Sequence, residues 1–137
     1  MSYRATVTSS VLFVTELKPS VDFYTRVLGC RATVQEADSA LLLAPGGFQI
    51  YVIARGRRAS HPLGAIGNQG LMWATETADE LALFATALKN EGCYRDTRVV
   101  DGITFVEGRD PDDLRVVVAN PSPIQAPRSV VAAQFFT

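Results

Sequence analysis

Few side chains in this sequence could do metal or nucleophilic chemistry. There is one histidine, His61, and there are two cysteines, Cys30 and Cys93. That supply excludes zinc fingers, multi-histidine metal sites and disulfide-dense scaffolds, because each needs several nitrogen or sulfur ligands at set spacings. Neither cysteine has a base beside it in sequence, so both read as small packing residues rather than nucleophiles. Carboxylates are more plentiful. Asp110, Asp112 and Asp113 resemble a calcium loop in outline but lack its central glycine and terminal glutamate, and so read as a turn. Glu76, Glu107 and the phenol of Tyr51 are the candidate acids or bases. His61 lies in a basic, glycine-rich stretch with Arg55, Arg57 and Arg58, which reads as a solvated loop or as a lid able to capture an anion. Trp73, the single tryptophan, and Tyr51 offer flat stacking area with one hydrogen-bonding group each.

The chain around these residues is ordinary in size. Its 137 residues, 47% hydrophobic, suffice for one domain with its own core. A formal charge of −1 argues against general nucleic-acid binding, which needs a surplus of Lys and Arg. No apolar run approaches the roughly 18 to 20 residues of a membrane span. The polar Met-Ser-Tyr-Arg start does not read as a secretory signal, and two distant cysteines suit a reducing compartment. A cytoplasmic protein without membrane contact is the expectation.

Elements that could position the candidates recur in two halves. The run from Thr6 to Glu16 reads as a strand. Leu17, Val21, Tyr24, Val27 and Leu28 follow at helical spacing, with Pro19 in the first turn and Gly29 as the stop. Strands over Arg31 to Glu36, Ser39 to Leu43 and Phe48 to Ala54 are predicted next, with Pro45-Gly46-Gly47 turning between the last two. The order then repeats. A strand over Leu71 to Thr77 precedes a helix opened by Asp79 and Glu80, faced by Leu81, Phe84, Ala85 and Leu88, and stopped by Gly92. Strands near Arg95 to Val100, Thr104 to Glu107 and Leu114 to Ala119 complete it. Gly29-Cys30 and Gly92-Cys93 close the two helices, and the stretch 44–54 aligns without a gap on 110–120. The pattern predicts an α+β protein of two tandem βαβββ modules, the first over about 5–55 and the second over about 70–121. They are joined by a linker at 56–69 and followed by an apolar tail at 122–137.

The motifs are similar to those of a known family. Phe23-Tyr24-Thr25-Arg26-Val27-Leu28-Gly29 resembles the "FY..VLG" helix end of the vicinal oxygen chelate superfamily of glyoxalases, extradiol dioxygenases and bleomycin-resistance proteins. Arg109-Asp110-Pro111-Asp112-Asp113 resembles its "RDPDG" turn, with Asp113 in place of the glycine. The resemblance implies curled mixed sheets around a shared cleft, and in the enzymes of the family a divalent metal there. Its ligands come from the first and last strand of each module. Carried onto this chain, about twenty residues before each helix-ending glycine and seven beyond Ala44 and Asp110, those positions are Ser9, Trp73, Tyr51 and Val117.

An alcohol, an indole, a phenol and an alkyl group do not make a divalent metal site. Neither metal nor other cofactor is therefore expected. Alternation along each strand adds Phe13, Gln49, Thr75 and Arg115 to the same lining, an apolar and aromatic surface with a few polar tips. The resemblance thus points to a metal-independent binder of a small hydrophobic or aromatic molecule, an antibiotic or a metabolite. An enzyme of the family, acting through unrecognised metal ligands or through Tyr51, Glu76 or Glu107, and a chain with a vestigial cleft are the alternatives. Trp73 also reads as a core residue and Tyr51 as a sheet-edge residue. A homodimer is implied by the family and fits the apolar tail with Phe135 and Phe136.

Overall fold

The computed structural model describes residues 7–56 and 70–122. His61, Arg57, Arg58 and the tail with Phe135 and Phe136 lie outside them. Along the chain run β1 (Ser9–Val14), α1 (Leu17–Arg26), β2 (Arg31–Gln35), β3 (Ser39–Leu43) and β4 (Gln49–Ala54). The second half follows with β5 (Leu71–Ala74), α2 (Ala78–Asn90), β6 (Tyr94–Val100), β7 (Ile103–Arg109) and β8 (Arg115–Asn120). The chain divides into two compact units, Met1–Ala59 and Ser60–Thr137, each holding one βαβββ module. Each sheet has four strands, ordered β1-β4-β3-β2 and β5-β8-β7-β6. The first strand of each runs parallel to the last, and the remaining pairs are antiparallel.

In the first module α1 lies across β2, β3 and β4. Its buried face is Ser20, Val21, Phe23 and Tyr24, and the Phe23 and Tyr24 rings meet edge to face at 5.1 Å. Under it lie Ala40, Leu42, Ile50 and Val52, with Leu42, Ile50 and Val52 wholly buried. These residues alternate along β3 and β4, so burial against the helix explains the period of two. The helix stops at Gly29, whose φ of +74° places it in the left-handed region that favours glycine.

In the second module α2 packs on β6, β7 and β8 through Leu81 and Leu88. Leu88 fits over Gly108, where a Cβ would stand 2.7 Å from a Leu88 methyl and 2.9 Å from the Cys93 carbonyl oxygen. Gly92 repeats the left-handed stop at φ +73°. The predicted alignment of 44–54 with 110–120 recurs as geometry. The Ala44 N–H donates to the Phe48 carbonyl and the Asp110 N–H to the Leu114 carbonyl, at 2.8 and 2.9 Å. Gly47, at φ +99°, is matched by Asp113 at φ +65°. Asp113 holds this unusual angle in a turn braced by the Asp110 carboxylate, which accepts from the Asp112 and Leu114 N–H groups at 2.8 and 2.9 Å.

Some boundaries move for identifiable reasons. The fifth strand stops at Ala74 rather than Thr77 because the next residues build the helix start. Thr75 donates its N–H to the Ala119 carbonyl and its hydroxyl to the Thr77 carbonyl. Thr77 and Glu80 then form a reciprocal capping box, each side chain accepting from the other's backbone N–H. Among the described residues no helix is long and apolar enough to cross a membrane.

Candidate functional site

The sheet face turned away from the helix is where each module can present side chains to a ligand. In the first module that face is built from three cross-strand rows. Val11, Tyr51 and Leu41 align across β1, β4 and β3, with Val34 of β2 beside Leu41. Phe13, Ile53 and Ser39 form the next row, and Ser9, Gln49 and Leu43 the one on the other side. Four of its apolar residues are open to solvent: Val11 at 62%, Phe13 at 57%, Val34 at 48% and Tyr51 at 40%. Arg55, just beyond β4, places its guanidinium 4.8 Å from the Phe13 ring centroid, a cation on an aromatic face. Near Gln49 an open depression of about 540 Å³ is lined by Val7, Thr8, Gly46, Gly47 and Phe48. Ser9, Phe13, Gln49 and Tyr51, all expected to line one surface, do share this face.

The second module differs. The row equivalent to Val11–Tyr51–Leu41 is Met72–Val117–Glu107. Val117 packs in a buried cluster with Ile103, Phe105 and Ala119, against Val100. Trp73 pairs with Val118 instead, in the rows that carry Val116 and Gly108 against α2. The expectation that Trp73 and Val117 line one surface is therefore corrected: they lie on opposite faces of the sheet, and Met72 takes the place beside Val117. Met72 is as far before Gly92 as Ser9 is before Gly29, whereas Trp73 is one residue nearer, and a step of one along a strand changes the face. Thr75 is buried and engaged in the turn before α2, so its hydroxyl is already bonded.

Arg115 is on the helix-free face with Val117, in a charged group that the sequence does not display as one unit. Glu107, 5% exposed, has its Oε1 3.4 Å from Arg98 and its Oε2 3.5 Å from Arg109 and 3.7 Å from Arg115. Arg98 also holds Asp96 at 2.7 Å. Sequence reasoning singles out Glu107 and Arg115 but not Arg98 or the side chain of Arg109. The usable signal is the Glu107/Arg109 spacing of two on a strand, read with the hairpin that brings Arg109 opposite Arg115.

The remaining candidates have structural surroundings. Burial pushes the Cys30 thiol up to about 11, and burial with Glu91 nearby raises Cys93, so neither is primed as a thiolate. Glu76 is exposed, and its backbone N–H donates to Glu80 at the head of α2.

The donor set at the family's positions can be compared with what a divalent metal needs. Ser9, Tyr51 and Val117, with either Trp73 or the Met72 that the register substitutes, offer hydroxyl, phenol, alkyl, and indole or thioether. None of these suits a hard divalent cation. Among the described residues no three His, Cys, Asp or Glu side chains are grouped to hold a metal. The residues present do not fit the metal of the family's enzymes.

Paired βαβββ modules with parallel first and last strands define a glyoxalase-like α+β scaffold. The chain belongs to the Glyoxalase/Bleomycin resistance protein/Dioxygenase superfamily, which it matches over residues 6–118. Solved structures agree on the fold. A glyoxylase/bleomycin resistance protein/dioxygenase domain from Frankia sp. EAN1pec is 19% identical with a TM-score of 0.75, covering 85% of this chain and 98% of that one. An integron cassette protein from the mobile metagenome of V. cholerae is 22% identical at a TM-score of 0.65, covering 89% and 99%. Lactoylglutathione lyase from Agrobacterium tumefaciens is 14% identical at 0.67, covering 86% and 95%. No curated protein matches the sequence at a significant level.

Proposed function

We propose that this protein binds a small hydrophobic or aromatic molecule without a metal, in the manner of a sequestering member of its superfamily. The carrying observation is the helix-free face of the first module, where Val11, Phe13 and Tyr51 stay exposed side by side and Val34 is exposed beyond Leu41. Contiguous exposed apolar surface is unfavourable in water and marks a binding place more often than scattered apolar residues do. Tyr51 and Phe13 supply stacking area, while Ser9 and Gln49 supply hydrogen-bonding tips on the same face. The chemistry of Ser9, Tyr51, Met72 and Val117 supports the metal-free part of the reading. A cytoplasmic homodimer completes it.

Titration calorimetry against a panel of planar aromatic compounds tests this, run with EDTA and again with Ni, Co, Mn or Zn. Saturable binding is expected from at least one compound in EDTA, weakened at least about tenfold in Tyr51→Ala and Phe13→Ala, the loss of one well-packed aromatic contact. Stoichiometric tight uptake of any of the metals, or binding that appears only with metal, would overturn it. Light scattering at the mass of one chain would remove the dimer from the reading.

A further inference from the structure

We propose that Arg109 and Arg115, on the helix-free face of the second module, form a binding site for a small oxyanion group, a carboxylate or a phosphate. The proposal rests on residues other than those of the apolar face of the first module, so the two stand or fall separately. Arg109 of β7 and Arg115 of β8 are direct register partners, so two like charges stand opposite each other on one face. Such a pairing is unfavourable unless an anion lies between them. Both guanidiniums turn to a single carboxylate oxygen, Glu107 Oε2, at 3.5 and 3.7 Å, beyond a good charge-assisted hydrogen bond. Arg98, the third cation of the group, is held much closer by Asp96, at 2.7 Å.

Arg109 is the stronger of the two anchors. Its side chain is only 18% exposed, and its Nη1 donates at 3.4 Å to the Asp113 carbonyl. Its Nε is buried with no hydrogen-bond partner. A buried guanidinium N–H left unsatisfied is costly, and a planar two-oxygen anion is the group its fork fits. Both arginines stand on paired strands, so their backbones are fixed opposite each other. Glu107 shows that a carboxylate oxygen can stand before both guanidiniums, and a ligand oxyanion would approach by the parts of the Arg109 and Arg115 side chains that remain exposed, 18% and 20%.

The test uses the full-length protein at pH 7 and constant ionic strength, titrated with inorganic phosphate, with acetate, and with chloride as the control. The thermal midpoint and the Arg Nε–Hε resonances in ¹H–¹⁵N spectra are followed together. A saturable rise in midpoint with phosphate or acetate is expected, absent with chloride, together with a saturable shift of the Arg109 resonance. A response to acetate alone identifies a carboxylate site, and a response to phosphate identifies a phosphate-type one. Arg109→Gln should weaken the response at least about tenfold, and Arg109→Lys should restore little because it lacks the planar fork. If phosphate and acetate act no differently from chloride, or the Arg109 resonance stays still, the proposal is overturned. The resonance is read in the unmodified protein, so that outcome does not depend on either variant folding.

Discussion

Where the first module exposes Tyr51, the second buries Val117, although the two occupy the same place in β4 and β8. The contrast extends along both faces. Phe13 is 57% exposed, whereas Phe105 is 2% exposed among Ile103, Val117 and Ala119. The polar groups show the reverse. Module one offers Ser9, Gln49 and the Arg55 guanidinium on the Phe13 ring, and module two gathers three arginines around a buried glutamate. A duplicated unit has thus divided two tasks that a sheet face can serve. One copy uses its helix-free apolar residues as core, and the other leaves them exposed to solvent. This division is the physical basis for placing the aromatic ligand on module one and the oxyanion on module two.

The largest effect expected from this contrast is in stability. Phe105→Ala should cost about 3–5 kcal/mol, the range for truncating a buried phenylalanine. Phe13→Ala should change stability by no more than about 0.5 kcal/mol, as for a surface substitution. Urea unfolding of both variants checks the pair. Equal costs would break the comparison, since they would mean that Phe13 is packed as core.

A second effect lies on the helix side. The row that holds Leu42 and Ile50 in module one holds Gly108 and Val116 in module two. Leu88 of α2 fills the space that a side chain at Gly108 would need. Gly108→Ala should therefore destabilise by about 2 kcal/mol through overpacking. In the background of Leu88→Ala the added methyl should cost less, giving a measurable coupling between the two sites. Purely additive costs in denaturant unfolding would show that the close approach is relieved elsewhere.

These differences also mark what could be read from sequence. The element order, the two glycine stops and the matched turns at 44–48 and 110–114 were legible because each rests on local chemistry. Left-handed stops need a residue such as Gly29 or Gly92, and the Asp110 turn needs a side-chain acceptor at its start. The strand alternation that groups Ser9, Phe13, Gln49 and Tyr51 was legible for the same reason. The face of Trp73 was not. It depends on the register of β5 against β8, where a difference of one residue between Met72 and Trp73 changes the face. The arginine group around Glu107 was hidden as well, because it joins three strands whose pairing has a bulge between Tyr94 and Asp96.

The smallest effects concern the helix starts, where the modules again differ. Thr77 caps α2 by accepting from the Glu80 N–H at 3.1 Å, and Glu80 answers by accepting from the Thr77 N–H at 3.2 Å. Thr77→Ala should cost about 1 kcal/mol. Glu16 holds the corresponding place before α1 but makes no side-chain cap. The reason is local: the third helical residue is Pro19, which has no N–H to donate, so no capping box can form there. Glu16→Ala should accordingly change stability by only a few tenths, within about 0.5 kcal/mol. Glu16→Ser can gain only through the Lys18 N–H and should add about 0.5 kcal/mol or less. Thermal unfolding of the three variants measures this order. A cost for Glu16→Ala as large as that for Thr77→Ala would mean that α1 depends on its first residue in a way its backbone does not account for.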